Sequence, residues 1–216
     1  QGPPLAYVQN ASSVRSVAYS PGGTHVAWAG DDGGVTVAST RPDAESTADL
    51  NGHKSGARAI AFSPDPNRNL MASGGEDGRV LLWTNPNDPA SEPIELGSHT
   101  AAVWTVAFSS DGNRLAAAGG NSDISVWDVN TRKLERTATI EGGARVRVLR
   151  FDPSSGELAV GAEDGSVYIY GEAESPRSWQ TDQGRLQALA ISPDGTMLAT
   201  GGTTPDIKVW DVSGGP

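Results

Sequence analysis

Three stretches decide the fold of this chain: GRVLLWTNP (78–86), SDISVWDVN (122–130) and PDIKVWDVS (205–213). Each is a short run of alternating apolar residues that is entered through a turn and ends in tryptophan. Alternation at a period of two describes a strand with one face buried, because successive side chains of a strand point to opposite sides. The same spelling at three places makes that strand part of a repeated unit.

Working outward, the segments VRSVAYSPGG, ARAIAFSPDP, VWTVAFSSDG, VRVLRFDPSSG and LQALAISPDG begin at Val14, Ala57, Val103, Val146 and Leu186, at intervals of 43, 46, 43 and 40 residues. A period of this length, with strand-type alternation and no helical pattern, marks a four-stranded unit repeated around a ring. A first strand such as 103–108 reaches a tight turn at Asp111-Gly112, and the last unit has the same turn at Asp194-Gly195. Glycine there supplies the positive φ that a hairpin needs. A second strand, such as NLMASGG ending at Gly75, meets another turn at Asp77-Gly78 and leads into the tryptophan-ended third strand. The fourth, as in PIEL from Pro93, is weaker and more polar, as edge strands are.

Composition agrees with an all-β chain. With 27 glycines and 14 prolines in 216 residues and only 19% charged residues, the chain is turn-rich and globular rather than a helical bundle or a disordered tail. Cysteine is absent, which excludes disulfides, thiolate metal sites and cysteine nucleophiles. A net charge of -10 argues against nucleic acid as a partner, since that affinity rests on neutralising phosphates. No apolar run is long enough to span a bilayer, and QGPPLAYVQN lacks a charged-then-apolar signal pattern. The expectation is a soluble chain with no membrane partner, in the cytoplasm by preference; a start at Gln1 leaves export open.

The segments GHKSGARAIAFSP from Gly52 and LMASGGEDGRVLLW from Leu70, with the Trp127-Asp128 and Trp210-Asp211 pairs, resemble the WD40 or tryptophan-aspartate repeat family over about residues 5 to 213. The resemblance implies a β-propeller, one domain over 1–216 with five four-stranded blades whose cores fall at about 14–40, 57–84, 103–130, 146–171 and 186–213. LAYVQ from Leu5 would then complete the last blade and close the ring. The alternative is a part of a larger propeller of about seven blades, an open arc with two apolar faces to be covered.

The resemblance also implies a structural tetrad of a third-strand Trp, a second-strand Ser or Thr, a preceding His and a turn Asp. One unit carries it whole, in Trp83, Ser73, His53 and Asp77. In the third unit His99 and Trp127 remain, Ala118 and Asn121 replace Ser and Asp, and the loop before Trp127 is counted one residue shorter. The last keeps Thr200 and Trp210 with Thr204 at the Asp position; the fourth keeps Asp164 and Tyr170; the first keeps Asp32, with Ala38 where tryptophan belongs. Each missing bond should loosen its unit by roughly 1 kcal/mol. Ser, His and Asp in one unit invite a hydrolase reading, but Ser73 lies within a strand without a G-x-S-x-G elbow, so packing is the better reading.

Other chemistry is sparse. His25, His53 and His99 lack metal-type spacing, Asp31-Asp32 and Glu163-Asp164 read as turn carboxylates that cap backbone N–H groups, and the glycines at 119 and 201 precede no phosphate-binding helix. No metal or cofactor is expected. Asn10-Ala11-Ser12 is a glycosylation sequon, informative only in a eukaryotic secretory compartment. The second residue of each first strand is Arg15, Arg58, Trp104, Arg147 or Gln187, which repeat symmetry would bring to one mouth of the channel. Such a cationic, aromatic ring suits an acidic or phosphorylated peptide. The expected function is a non-catalytic scaffold for protein or peptide partners. The alternative is a self-assembling or sensory module of a larger polypeptide.

Overall fold

The computed structural model describes residues 12–41, 47–173 and 175–213. The described residues form five antiparallel sheets, each built as a meander in chain order. Sheet 1 comprises β1 (Val14–Tyr19), β2 (His25–Gly30), β3 (Val35–Ser39) and β4 (Thr47–Leu50). Sheet 2 comprises β5 (Ala57–Phe62), β6 (Met71–Gly75), β7 (Arg79–Trp83) and β8 (Ile94–Ser98). Sheet 3 comprises β9 (Val103–Phe108), β10 (Arg114–Gly119), β11 (Asp123–Asp128) and β12 (Lys133–Thr139), and sheet 4 comprises β13 (Val146–Phe151), β14 (Leu158–Ala162), β15 (Ser166–Tyr170) and β16 (Arg177–Gln180). Sheet 5 has three strands among the described residues, β17 (Ala188–Ile191), β18 (Met197–Gly201) and β19 (Ile207–Asp211). The closing strand expected from Leu5 lies outside the described residues, as do Asn10 and Ala11 of the sequon.

The turns follow from their residues. Gly112, Gly195 and Gly78 have φ of 70°, 74° and 77°, a region that costs a side chain strain and glycine little. Asp77, Asp111 and Asp194 each accept backbone N–H bonds two residues on, from Arg79, Asn113 and Thr196. In sheets 2 to 4 the fourth strand is the most exposed, with β12 open along nearly its whole length.

The core is not one mass but a series of apolar layers between consecutive sheets. One layer joins Val35 and Val37 of sheet 1 to Ile60, Met71, Leu81 and Trp83 of sheet 2, and the next joins Ala72, Val80 and Leu82 of sheet 2 to Val103, Val106 and Trp127 of sheet 3. Two further layers bind sheet 3 to sheet 4 and sheet 4 to sheet 5. The second strands of sheets 2 to 4 therefore each serve two layers, Met71 facing back to sheet 1 and Ala72 facing forward to sheet 3. This is the stacking of a propeller, in which each unit buries its faces only against its neighbours. No helix of the described residues is long and apolar enough to cross a membrane.

Candidate functional site

The strand registers fix which residues are equivalent. Phe62, Met71 and Trp83 lie abreast in sheet 2, as do Phe108, Leu115 and Trp127 in sheet 3, Phe151, Leu158 and Tyr170 in sheet 4, and Ile191, Leu198 and Trp210 in sheet 5. In sheet 1 the row is Tyr19, Val26 and Ala38. The second-to-third-strand spacing is the same in all five, so the loop before Trp127 is not shortened. The residue equivalent to Ser73 in sheet 3 is Ala117, which pairs with Val106 and Ser125 as Ser73 pairs with Ile60 and Leu81. The serine position therefore falls on Ala117 rather than the expected Ala118, within a run of three alanines at 116–118 that carries no register of its own.

In sheet 2 a chain of hydrogen bonds runs outward from the buried indole. Trp83 Nε1 donates to Ser73 Oγ at 3.0 Å, Ser73 Oγ lies 2.8 Å from His53 Nε2, and His53 Nδ1 lies 3.0 Å from Asp77 Oδ1. The Asp77 carboxylate also accepts the Lys54 and Arg79 N–H groups. Since the Ser73 oxygen already accepts from Trp83, its own proton is free for His53 Nε2, and His53 in turn donates Nδ1–H to Asp77. That arrangement needs a neutral imidazole, and burial pushes His53 below the usual histidine range, outweighing Asp77. Burial would raise the Asp77 carboxyl, but the hydrogen bonds from Lys54, His53 and Arg79 hold it below its ordinary value. Gly75 leaves room for the pair, because a Cβ there would lie 2.4 Å from His53 Nδ1 and 2.6 Å from Asp77 Oδ1.

Elsewhere the staple is rebuilt or broken. In sheet 5 Trp210 Nε1 donates to Thr200 Oγ1 at 2.9 Å, and Thr200 Oγ1 donates to Gln183 Oε1 at 2.6 Å. The Gln183 amide then donates to the carbonyls of Thr200 and Asp206. Gln183, fully buried, does the work that His53 does in sheet 2; the sequence offered only a lone glutamine in a loop. In sheet 3 His99 meets Trp127 edge-on at 6.4 Å, but Ala117 offers no hydroxyl, and both His99 Nε2 and Asn121 Oδ1 are buried without a partner. In sheet 1 Trp28 occupies the serine position and its Nε1 is likewise buried without a partner.

The first-strand residues have unequal surroundings. Arg15 forms an ion pair with Asp31, whose carboxyl it holds low, and Arg58 forms one with Glu76. Gln187 is fixed through its backbone N–H to the Gly201 carbonyl. Trp104 and Arg147 come together, with the guanidinium 4.7 Å from the indole centroid, and Arg145 lies over the same ring at 6.0 Å. Arg145 and Arg185 share one carboxylate, Glu163, at 3.8 and 3.5 Å. The first residue of each acidic turn pair thus faces an arginine rather than capping the turn, while the second, Asp32 or Asp164, caps Gly34 or Ser166. Arg145 stands immediately before β13 and Arg185 three residues before β17, and the alternation Arg145-Val-Arg147 is the one sign of them in the sequence.

Comparison with known proteins gives the arrangement its context. The family model for "WD domain, G-beta repeat" matches residues 3–37, 44–84, 92–128, 134–171 and 176–211. The chain is 30% identical over 173 residues to the WD repeat-containing protein slp1 of Schizosaccharomyces pombe, covering 77% of this chain and 35% of that protein. It is 27% identical over 157 residues to actin-interacting protein 1-2 of Arabidopsis thaliana, covering 70% and 25%. A 68-residue stretch is 40% identical to the 66 kDa stress protein of Physarum polycephalum, covering 30% and 11%. The chain thus spans about a third or less of the length of these relatives. Five matched repeats, in register with five sheets, make this chain a member of the WD40 repeat family.

Proposed function

We infer that this chain is a non-catalytic scaffold that holds acidic protein or peptide segments on the face carrying Trp104, Arg145, Arg147 and Arg185. The observation that carries the reading is a local excess of cation on an acidic protein. Arg145 and Arg185 share one carboxylate, Glu163, and Arg147 makes no ion pair among the described residues; its guanidinium rests on the Trp104 ring. Arginine on an indole is held by its stem and plane while its outer N–H groups stay free for a carboxylate. Arg15 and Arg58 are each matched by a carboxylate of their own and belong to the rim of the site. A relative named for interaction with actin supports protein as the partner class.

The test is titration of a fluorescently labelled glutamate-rich peptide, with and without phosphoserine, at low and moderate salt. Replacing Arg145 and Arg147 together by alanine should weaken binding at least tenfold, about 1.4 kcal/mol, and flatten its salt dependence. Arg15→Ala should change it less than threefold, since an exposed paired arginine contributes little. Equal effects at Arg15 and Arg147, or no binding to either peptide, would overturn the assignment.

A further inference from the structure

The layer between sheets 3 and 4 lacks the indole that the two layers before it contain in Trp83 and Trp127. Trp127 lies against the fourth strand of sheet 2, where a Cβ on Gly97 would stand 3.1 Å from its Cζ2. The registers put Tyr170 in the place of Trp127 and Ala138 in the place of Gly97. Beside this smaller pair opens a cavity of about 230 Å³, with Ile124, Val126, Phe151 and Leu158 in its walls. Both sheets have four strands and a described sheet on either side, so the walls do not depend on what adjoins sheets 1 and 5.

Two arginines give the cavity its charge. The Arg114 guanidinium lies 5.2 Å from the centroid of the Phe151 ring, and that of Arg136 lies 5.8 Å from the centroid of Tyr170. Each is steadied by one backbone carbonyl: Arg114 Nη2 donates to Gly156 O at 2.8 Å and Arg136 Nη1 donates to Gly171 O at 2.6 Å. Neither arginine forms an ion pair among the described residues, so each keeps further N–H groups for an anion. Of the carboxylates that line the cavity, Glu157 is engaged by Arg177 at 2.9 Å, while Glu135 and Glu172 are exposed, where water screens them. These two weigh against a second negative charge on the occupant. The volume lies below the roughly 300 Å³ at which pockets for drug-sized ligands begin, which suits one ring and a short chain.

We propose that this cavity binds a small monocarboxylate with an apolar body, its ring held among Ile124, Leu158 and Tyr170 and its carboxylate taken by Arg114 and Arg136. The site is separate from the face of Trp104 and Arg147. Arg147 is the second residue of β13 and Phe151 the last, about 13 Å further along the strand.

The probe is hydrocinnamate, titrated into the isotope-labelled chain and followed by amide chemical shifts. Saturable shifts at Ala138, Gly156 and Gly171 are expected, with a Kd of about 1 mM or tighter for a ligand of this size. The neutral amide, hydrocinnamide, should bind about tenfold more weakly, the loss of a charge-assisted hydrogen bond. Arg114→Gln and Arg136→Gln should each weaken hydrocinnamate by about threefold or more. Tyr170→Trp, which restores the indole, should abolish binding; if it unfolds the chain, Arg136→Gln at an exposed position carries the test alone. No saturation below about 10 mM, equal affinity for acid and amide, or full affinity in both arginine variants would overturn the proposal. So would shifts centred on the Trp104 indole, which would make the probe a ligand of the first-strand face.

Discussion

Sheet 3 holds an incomplete staple, and one atom should complete it. Ala117 occupies the position that Ser73 occupies in sheet 2, is fully buried, and lies in the layer that contains Trp127. His99 Nε2 is buried with no partner. Ala117→Ser would place a hydroxyl where it can donate to His99 Nε2 and accept from Trp127 Nε1, as Ser73 does for His53 and Trp83. A buried unsatisfied nitrogen costs about 1–3 kcal/mol and a new net hydrogen bond adds about 1, against the cost of burying the hydroxyl, so we expect a gain of about 1–2 kcal/mol. For a chain of this size that raises Tm by roughly 2–8 °C. The assay is thermal unfolding by calorimetry, with urea unfolding to check that the slope is unchanged. Ala118→Ser is the control, because Ala118 faces the opposite layer, among Ile124, Val146 and Val160, and a hydroxyl there should cost about 1–3 kcal/mol. Adjacent substitutions should thus move Tm in opposite directions. An unchanged or lowered Tm for Ala117→Ser, or a rise for both, would refute the register and the staple with it.

Removing the hydroxyl where it exists should do the reverse: Ser73→Ala leaves Trp83 Nε1 and His53 Nε2 unpartnered and should cost about 2–4 kcal/mol in urea unfolding, whereas a loss below half of that would reduce the staple to packing. Gln183→Leu fills a similar volume but strands Thr200 and the Asp206 carbonyl, and should lower Tm by several degrees; a neutral result would show that Trp210 and Thr200 need no third member. Burial pushes His53 and His99 below the unfolded value of 6.5, so the unfolded chain binds more protons as pH falls through that value. Stability should therefore drop between pH 7.5 and 5, and a flat profile would mean the two rings accept protons in place. A separate loss should begin below the ordinary carboxyl value of 3.8, because hydrogen bonds from Ser109 and Asn113 hold Asp111 at about 2, and stability from a depressed carboxyl is lost as pH falls through that window.

What the sequence made legible was whatever a single strand or turn carries by itself. The glycine after aspartate announces a positive φ, the alternation in RVLLW announces a strand with a buried face, and the interval between such runs announces the repeat. What stayed hidden depends on contacts between units. Gln183 enters its staple from a loop with no motif around it, and its role exists only because Thr200 and Asp206 surround the amide. Arg145 and Arg185 lie far apart in the chain and meet at Glu163. Arg15 and Arg58, alike in sequence to Arg147, differ from it because each has a carboxylate within reach.

The one-residue difference between Ala117 and Ala118 shows how sharply the period of two divides the chemistry. Along β6, Met71 and Trp83's partner Ser73 face sheet 1, while Ala72 and Gly74 face sheet 3. One strand therefore carries a polar staple on its backward side and an apolar socket on its forward side, and a slip of one residue exchanges them. A hydroxyl moved from the first set to the second gains no partner and blocks a socket; a glycine moved the other way removes the staple's centre. The two sides can also vary independently. Sheet 3 lacks the hydroxyl yet keeps a fully packed forward face in Ala116 and Ala118, and sheet 5 keeps a staple in Thr200 beside Gly201, where a Cβ would meet no described residue within 4 Å. In sheet 5 the staple of Trp210, Thr200 and Gln183 ties the third strand to the second from the backward side alone, so its hydrogen bonds do not depend on what packs against the forward side.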